Sequence, residues 1–577
     1  MQGKSLWIFL LGVQLHFAIN QRFFLKKRVL SLLLSGALAL SLFGCSSVPG
    51  TVGDASPSPT AQTEEEPVTL YIGTTKAPEV MSTMYERDAF GRMNYNSFCA
   101  APFLERDENG VVQPNIMTDW VFSDDLTSLV ATFATDQGIT WHDGEPLTMD
   151  DIEFTFNYLM NVKKSSYIHM LESVERISDT QLKLNFDGPS AFNFINYACM
   201  AVFVYPEHIW KGIEDPNEYH EADAAVGCGP YRFVSWDEDA QTMYFDAVED
   251  YFKGELAIQR VVVRTYDSQD ALVMALRNGE IDAIYDYSNS LSSTMAPSIT
   301  GIEDVDPGMS DNPGQYQLVF GFNKQPTGDL AFRKAVRDAL DYELLAATIG
   351  GENAEIGGVG LMAPPNKGYD SELPRLSQNV ETALATLDEA GYVDTDGDGW
   401  REMPDGGTMD VLLTAPYSAT QKALFDRLSE IIVSNLADVG VKCTIDDQHQ
   451  SDTDTYRSFI YSGEYEITLG STSSGVAAYE TVFYYYVDKG YGNAWGTYSE
   501  PEFVQTYLDM MNSPDYETYN ERVKALQEMA AENVIGMPLA WDKCYFPYRT
   551  DRFEGWVNYP GWGAINNSTW YTLRPID

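Results

Sequence analysis

Basic residues are scarce: Lys and Arg number 37 against 85 Asp and Glu in 577 residues, a formal net charge of −48. A chain this acidic cannot present the basic footprint that phosphate backbones require, which excludes nucleic-acid binding. Cysteine is scarce as well, six in all, and no Cys-x-x-Cys occurs, so structural zinc and thioredoxin-type chemistry find no support. No His-Glu-x-x-His, Gly-x-Ser-x-Gly or Walker loop is present among a total of six histidines. After residue 67 no Gly/Ser or Pro-rich linker interrupts the sequence and no run is long and apolar enough to span a bilayer. What is present is core-forming material: 44% hydrophobic and 21% charged residues, which suits a large α/β chain of about three or four domain-sized units.

The first 45 residues carry Lys4, Arg22, Lys26, Lys27 and Arg28 and no acid, so without them the balance is 32 basic against 85 acidic groups. Lys26-Lys27-Arg28 precedes an uncharged apolar run over 29–43, the layout of an export signal. The run ends at Leu42-Phe43-Gly44-Cys45, which resembles the box at which bacterial lipoproteins are cleaved and the Cys thiol receives diacylglycerol. Residues 1–45 are therefore expected to be a lipoprotein signal peptide, with Cys45 lipidated. The Ser/Thr/Pro/Gly/Glu tract over 46–66 is expected to be a flexible tether, because it cannot bury enough apolar surface to fold. A second apolar stretch, 6–19, lies upstream of the basic cluster, and an initiation at Leu25 would give the conventional order.

From residue 68 the periodicity predicts strands over 68–72, 128–134, 181–186, 231–235, 242–246, 259–265, 316–322, 409–414, 441–446 and 465–469. Helices are predicted over 149–160, 271–278, 330–340, 380–390, 421–436, 501–511 and 516–533. Thr148 or Asp150 and Asp329 supply start signals for two of them. Strands interleaved with helices indicate an α/β architecture.

The segment 139–159 reads Ile-Thr-Trp-His-Asp-Gly-Glu-Pro-Leu-Thr-Met-Asp-Asp-Ile-Glu-Phe-Thr-Phe-Asn-Tyr-Leu, a strand, a turn and a capped helix start. Gly229-Pro230-Tyr231-Arg232-Phe233, Asp250-Tyr251-Phe252-Lys253-Gly254 and Leu276-Arg277-Asn278-Gly279-Glu280-Ile281-Asp282 follow. Then come Phe322-Asn323, Phe332-Arg333-Lys334-Ala335-Val336, Glu389-Ala390-Gly391-Tyr392 and Leu436-Ala437-Asp438-Val439-Gly440-Val441. In order and spacing, over about 66–550, this resembles the family 5 extracellular solute-binding proteins, the oligopeptide, dipeptide and nickel receptors of ABC importers. The resemblance implies a two-lobed type II periplasmic-binding-protein fold of mixed sheets flanked by helices. One lobe would comprise 66–316 plus 538–577 and the other 317–537, with ligand in the cleft between them and crossings at 316–323 and 535–541. It further implies a monomeric receptor on the outer face of the cell membrane that delivers a peptide or similar polar solute to permease subunits.

Candidate ligand residues follow from the same resemblance. Tyr285 and Tyr287, just after Gly-Glu-Ile-Asp, occupy a position from which family members reach the cleft. Ser471, Thr472 and Ser473 follow the predicted strand 465–469, where peptide-binding relatives place an Asp that pairs with the ligand's amino group. Here no acid occurs until Glu480, which favours an uncharged or anionic ligand, such as a capped peptide or a glycan. Tyr485 and Trp495 lie in an aromatic, glycine-rich stretch suited to pocket walls. Asp394, Asp396, Asp398 and Gly399 match positions 1, 3, 5 and 6 of a calcium loop, but position 12 is Asp405, and the run reads as a solvated turn. No catalytic group, metal or cofactor is expected. The competing readings are a secreted glycan or peptide hydrolase, which would return its ligand cut, and a sensory binding protein without a transport role.

Overall fold

The computed structural model describes residues 66–576 apart from 78–79, 85–97, 200–201, 287–289, 418–420, 473–480 and 488–496. Residues 66–577 form one compact unit, built around three main sheets. The apolar strand Thr69–Thr74 is central to a seven-stranded mixed sheet. Its order is Val305–Asp306, Tyr548–Arg549, Ala283–Ile284, Thr69–Thr74, Arg260–Thr265, Thr242–Ala247 and Tyr231–Asp237. A second mixed sheet has the order Glu355–Ile356, Gly536–Trp541, Gln315–Phe320, Ile467–Thr472, Val411–Thr414 and Cys443–Ile445. The third, four-stranded and antiparallel, runs Met117–Phe122, Ser128–Phe133, Gln181–Phe186, Leu171–Arg176. Leu129, Ala131 and Phe133 of this sheet face the core, and the residues between them are half-buried, the alternation that a one-sided antiparallel sheet produces.

The buried apolar side chains fall into two groups. One draws on residues 70–299 and 545–573, and packs the seven- and four-stranded sheets. The other draws on 318–540 and packs the six-stranded sheet between Leu330–Ala339, Tyr342–Gly350, Val380–Glu389 and Lys422–Asp438 on one side and Pro501–Met511 and Tyr516–Asn533 on the other. A short antiparallel ladder joins the groups, with Met309 opposite Tyr545, Ser310 opposite Cys544 and Asp311 opposite Lys543. The strands expected to be the crossings, 316–323 and 535–541, are instead interior to the six-stranded sheet, where Leu318 pairs with both Leu469 and Met537. Their continuous burial is what a strand covered on both faces requires.

Helix starts follow from local chemistry. Asp151 accepts from the Thr148 backbone N–H at 2.8 Å and from its hydroxyl at 3.0 Å, closing the first turn of Met149–Asn161. Asp329, Asp452 and Asp515 each accept an N–H of the first turn they precede. All five described cysteines, Cys99, Cys199, Cys228, Cys443 and Cys544, are buried and unbridged. Among the described residues no helix is long and apolar enough to cross a membrane.

Candidate cleft between the two sheets

Both mixed sheets turn the same kind of edge toward the crossing ladder. In the first, the parallel strands end together at Thr74, Thr265 and Ile284. In the second, the parallel strands end at Thr414, Ile445 and Thr472, and Gln315 enters beside Thr472 while Trp541 leaves beside Glu355. Polar side chains at the carboxyl ends of otherwise apolar strands are the usual makers of ligand sites in α/β sheets.

On the first edge, Asp286 is the central group. It is 4% exposed. One carboxylate oxygen accepts from the Thr75 N–H at 2.7 Å and from the Thr74 hydroxyl, and the other accepts from the Thr75 hydroxyl. Three neutral donors thus hold its charge. The preceding Tyr285 is buried, its ring in the same apolar cluster as Ile72, Ala283 and Tyr548, so the side chain this turn presents to the edge is Asp286. Asp282 of the Gly-Glu-Ile-Asp motif is internal: it accepts from the Tyr71 N–H at 2.8 Å and from Arg552 Nη1 at 2.7 Å. Burial raises its pKa, and those donors oppose the shift.

The second edge carries amides, hydroxyls and rings. Trp541 Nε1 donates to Gln315 Oε1 at 3.1 Å, Gln315 Nε2 donates to Gln317 Oε1 at 2.9 Å, and the Tyr486 hydroxyl donates to the same oxygen. Thr472 is buried and its hydroxyl accepts from the Gln315 N–H at 3.3 Å, while Ser471, one residue earlier, is exposed. Tyr485 is half-buried against the helical side of this sheet. Tyr316, with its hydroxyl pushed up to about 12 by burial, accepts from Gln421 Nε2 at 3.0 Å. Asp446 accepts from Thr414 Oγ1 at 2.9 Å and lies 2.7 Å from His449 Nδ1; burial works to raise its pKa, and these bonds outweigh it and hold the carboxyl below the usual range.

Beside the ladder lies a recess of about 330 Å³ lined by Trp541, Tyr369, Pro364, Arg375, Asp542 and Lys543 among others. The Arg375 guanidinium sits 4.2 Å from the Trp541 ring centroid, and Tyr369 meets that ring edge-on at 5.8 Å. Burial pushes the Asp542 carboxyl up to about 6.

The structure thus turns the ring of Tyr285 into the core behind one edge, and places Ser471, Thr472 and Tyr485 at or behind the other. Tyr287, Ser473, Trp495 and Cys45 lie outside the described residues. Thr74, Gln315, Gln317 and Trp541 escaped the sequence reading. For Thr74 the signal was a polar residue closing the strand Thr69–Thr74; the other three carry none that periodicity shows.

Among the described residues these edges offer amides, hydroxyls, rings and a carboxylate, groups that suit the binding of a polar ligand. Burial pushes the Cys443 and Cys544 thiols up to about 12. Away from the edges, Asp394, Asp396, Asp398 and Glu402 bring carboxylate oxygens within 4.8 Å of one another, a set of hard oxygens a cation could use. Those oxygens already accept the N–H groups of Gly397, Gly399, Asp398, Trp400 and Thr395, which accounts for the loop's shape. Asp405 accepts from Gly407 in the next turn and takes no part in the set.

Residues 111–494 match the family model for bacterial extracellular solute-binding proteins, family 5, middle region. Among curated relatives, the oligopeptide-binding protein AppA of Bacillus subtilis is 23% identical over 397 residues, 65% of this chain and 68% of its own length. The solved structure of AppA from Bacillus subtilis in complex with a nonapeptide superposes with a TM-score of 0.70 at 18% identity, covering 89% of this chain and all of that one. A mannohexaose-bound periplasmic oligopeptide-binding protein of an ABC transporter from Thermotoga maritima gives 0.64 at 21% identity, with coverage of 89% and 99%. These likenesses establish the two-lobed type II periplasmic-binding-protein fold.

Proposed function

Because the chain belongs to the bacterial extracellular solute-binding proteins of family 5, we propose that it captures a peptide or similar polar solute and delivers it to an ABC permease. Anchoring would be through a lipidated Cys45 followed by the 46–66 tether. The lobes would be 66–312 with 543–577, and 313–542, a division supported by the membership of Gln315–Phe320 and Gly536–Trp541 in one sheet. The hinge is the ladder Met309–Asp311 with Lys543–Tyr545.

The observation that carries this reading is the opposition of two carboxyl-terminal strand edges across one short ladder. Apolar and aromatic walls would supply most of the affinity, and fixed amides, hydroxyls and Asp286 would set orientation. The Gln315–Gln317–Trp541 set, and an Asp286 whose oxygens already accept from Thr74 and Thr75, also favour a second ligand class, neutral oligosaccharides, whose hydroxyls pair with amides and whose rings stack on aromatics. Native mass spectrometry of protein isolated from its own cells tests both readings. A retained mass that dissociates intact on denaturation is expected, and its fragmentation separates peptide from glycan. Turnover of the solute to smaller masses would instead identify a hydrolase.

A further inference from the structure

The hinge ladder, together with the Ser293 hydroxyl bonded to the Ile349 carbonyl at 3.0 Å, joins the lobes at one end. A second bridge uses elements that belong to neither sheet of the hinge. Tyr516, the first residue of the helix Tyr516–Asn533 in the second lobe, meets Phe192 of the first lobe edge-on, with ring centroids 5.1 Å apart. Its hydroxyl donates to Asn196 Oδ1. Lys367 Nζ lies 4.5 Å from the centroid of the same ring.

We propose that Tyr516, seated on Phe192 and Asn196, is a latch that biases the lobes toward closure independently of any solute. This inference rests on the two-lobed reading above.

The first-lobe side of the latch is held in place from several directions. Asn196 lies in a single π-helical turn, Phe194–Ala198, a local geometry that recurs at functional positions because it re-aims one side chain. Its side-chain nitrogen donates to the Phe192 backbone carbonyl at 2.8 Å, tying the amide to the backbone that carries the ring, and its backbone carbonyl accepts from Arg106. Arg106 is tied in turn to the carboxyl-terminal segment, since its carbonyl accepts from the Tyr559 hydroxyl at 2.8 Å. Tyr516 is 37% exposed, so its ring and hydroxyl serve the contact between lobes and are not needed to complete a core. A contact present only in the closed arrangement shifts the closed population by its own free energy, and solute affinity follows that population.

The test is electron–electron distance measurement on the full chain without solute, with spin labels on Val121→Cys and Tyr461→Cys, sites that are 65% and 52% exposed on opposite lobes. Tyr516→Phe removes only the hydroxyl and should lower the closed-to-open ratio by about fivefold. Tyr516→Ala removes the ring as well and should lower it by about twentyfold, with Phe192→Ala adding little further in that background. The melting temperature should stay with the parent in the Phe variant. Superimposable distance distributions in the parent and Tyr516→Ala would overturn the latch. They would leave the solute-binding reading standing, because that reading is decided by a retained mass and not by closure without ligand.

Discussion

His142 and Asp143 are neighbours in the chain and serve different partners. The imidazole is half-buried, with Nε2 at 3.1 Å from the Gly229 carbonyl and Nδ1 accepting from Gly227 N–H, whereas Asp143 pairs with His208 Nε2 at 2.8 Å. Adjacent residues thus point apart, and His142 and Asp143 do not act as a pair. Loss of solvent around the ring lowers the His142 pKa from its ordinary 6.5 to about 4, so the folded state holds this ring neutral while the unfolded chain protonates it. Its contribution is complete above pH 6.5 and declines as pH falls toward 4, with a total on the order of 3 kcal/mol. Urea unfolding of the parent and His142→Gln between pH 7 and 4 should show the parent losing stability faster on acidification; parallel curves would count against this origin. Arg333 is a second residue whose role is internal. Its guanidinium donates to the carbonyls of Thr327, Gly328, Asn533 and Val534, and lies 4.7 Å from the Phe322 centroid. It thereby satisfies carbonyls at the end of the helix Tyr516–Asn533, where Val534 takes a left-handed conformation. Arg333→Met should cost about 3 kcal/mol in urea unfolding, and Arg333→Lys should recover only part, because one ammonium cannot span the fork.

Elements with strong periodicity were legible in the sequence. The helices Pro501–Met511 and Tyr516–Asn533 fall where the apolar spacing puts them, and the strand Gln181–Phe186 does too. The helix Thr453–Tyr461 was missed because Thr, Tyr, Phe and Ile are weak helix formers; its cap, Asp452 bonded to Thr455 N–H, and the packing of Ile460 decide it. Met117–Phe122 was missed because its outward residues are mixed and its register shifts at a bulge. The motif Gly227-Cys228-Gly229-Pro230-Tyr231 has a steric meaning that a sequence pattern alone does not supply. A Cβ on Gly227 would stand 2.0 Å from the Cys99 carbonyl oxygen, and one on Gly229 would stand 2.6 Å from Cys99 C and Phe98 O. This close approach lets Gly229 N–H bond Cys99 O at 2.8 Å and holds His142 N–H on Gly227 O at 2.9 Å. Gly227→Ala should therefore lower the melting temperature severely or abolish soluble folding. Gly138→Ala, where a Cβ meets open space and only the positive φ of 72° resists, should cost about 1 kcal/mol. Equal effects for the two would contradict the steric account.

At the scale of the whole molecule, two-lobed organisation entered through an ordered set of motifs, and the ladder joining the two core groups did not. Met309–Asp311 and Lys543–Tyr545 are three residues each, too short for any periodicity to show, and they were passed over for the longer apolar strands beside them. The cleft edges were half legible for a similar reason: aromatic clusters attract attention, whereas Gln315, Gln317 and Thr74 acquire meaning only once strand ends are brought side by side. If hinge bending across that ladder encloses a passenger, occupancy must change the molecule's dimensions and leave the passenger chemically intact. The most direct measurement is small-angle scattering during titration with the solute released from the native protein, followed by mass determination of the recovered solute. The account predicts a saturable fall in radius of gyration and a recovered mass equal to that added. An invariant profile at saturating, independently verified occupancy, or a solute returned in pieces, would contradict it.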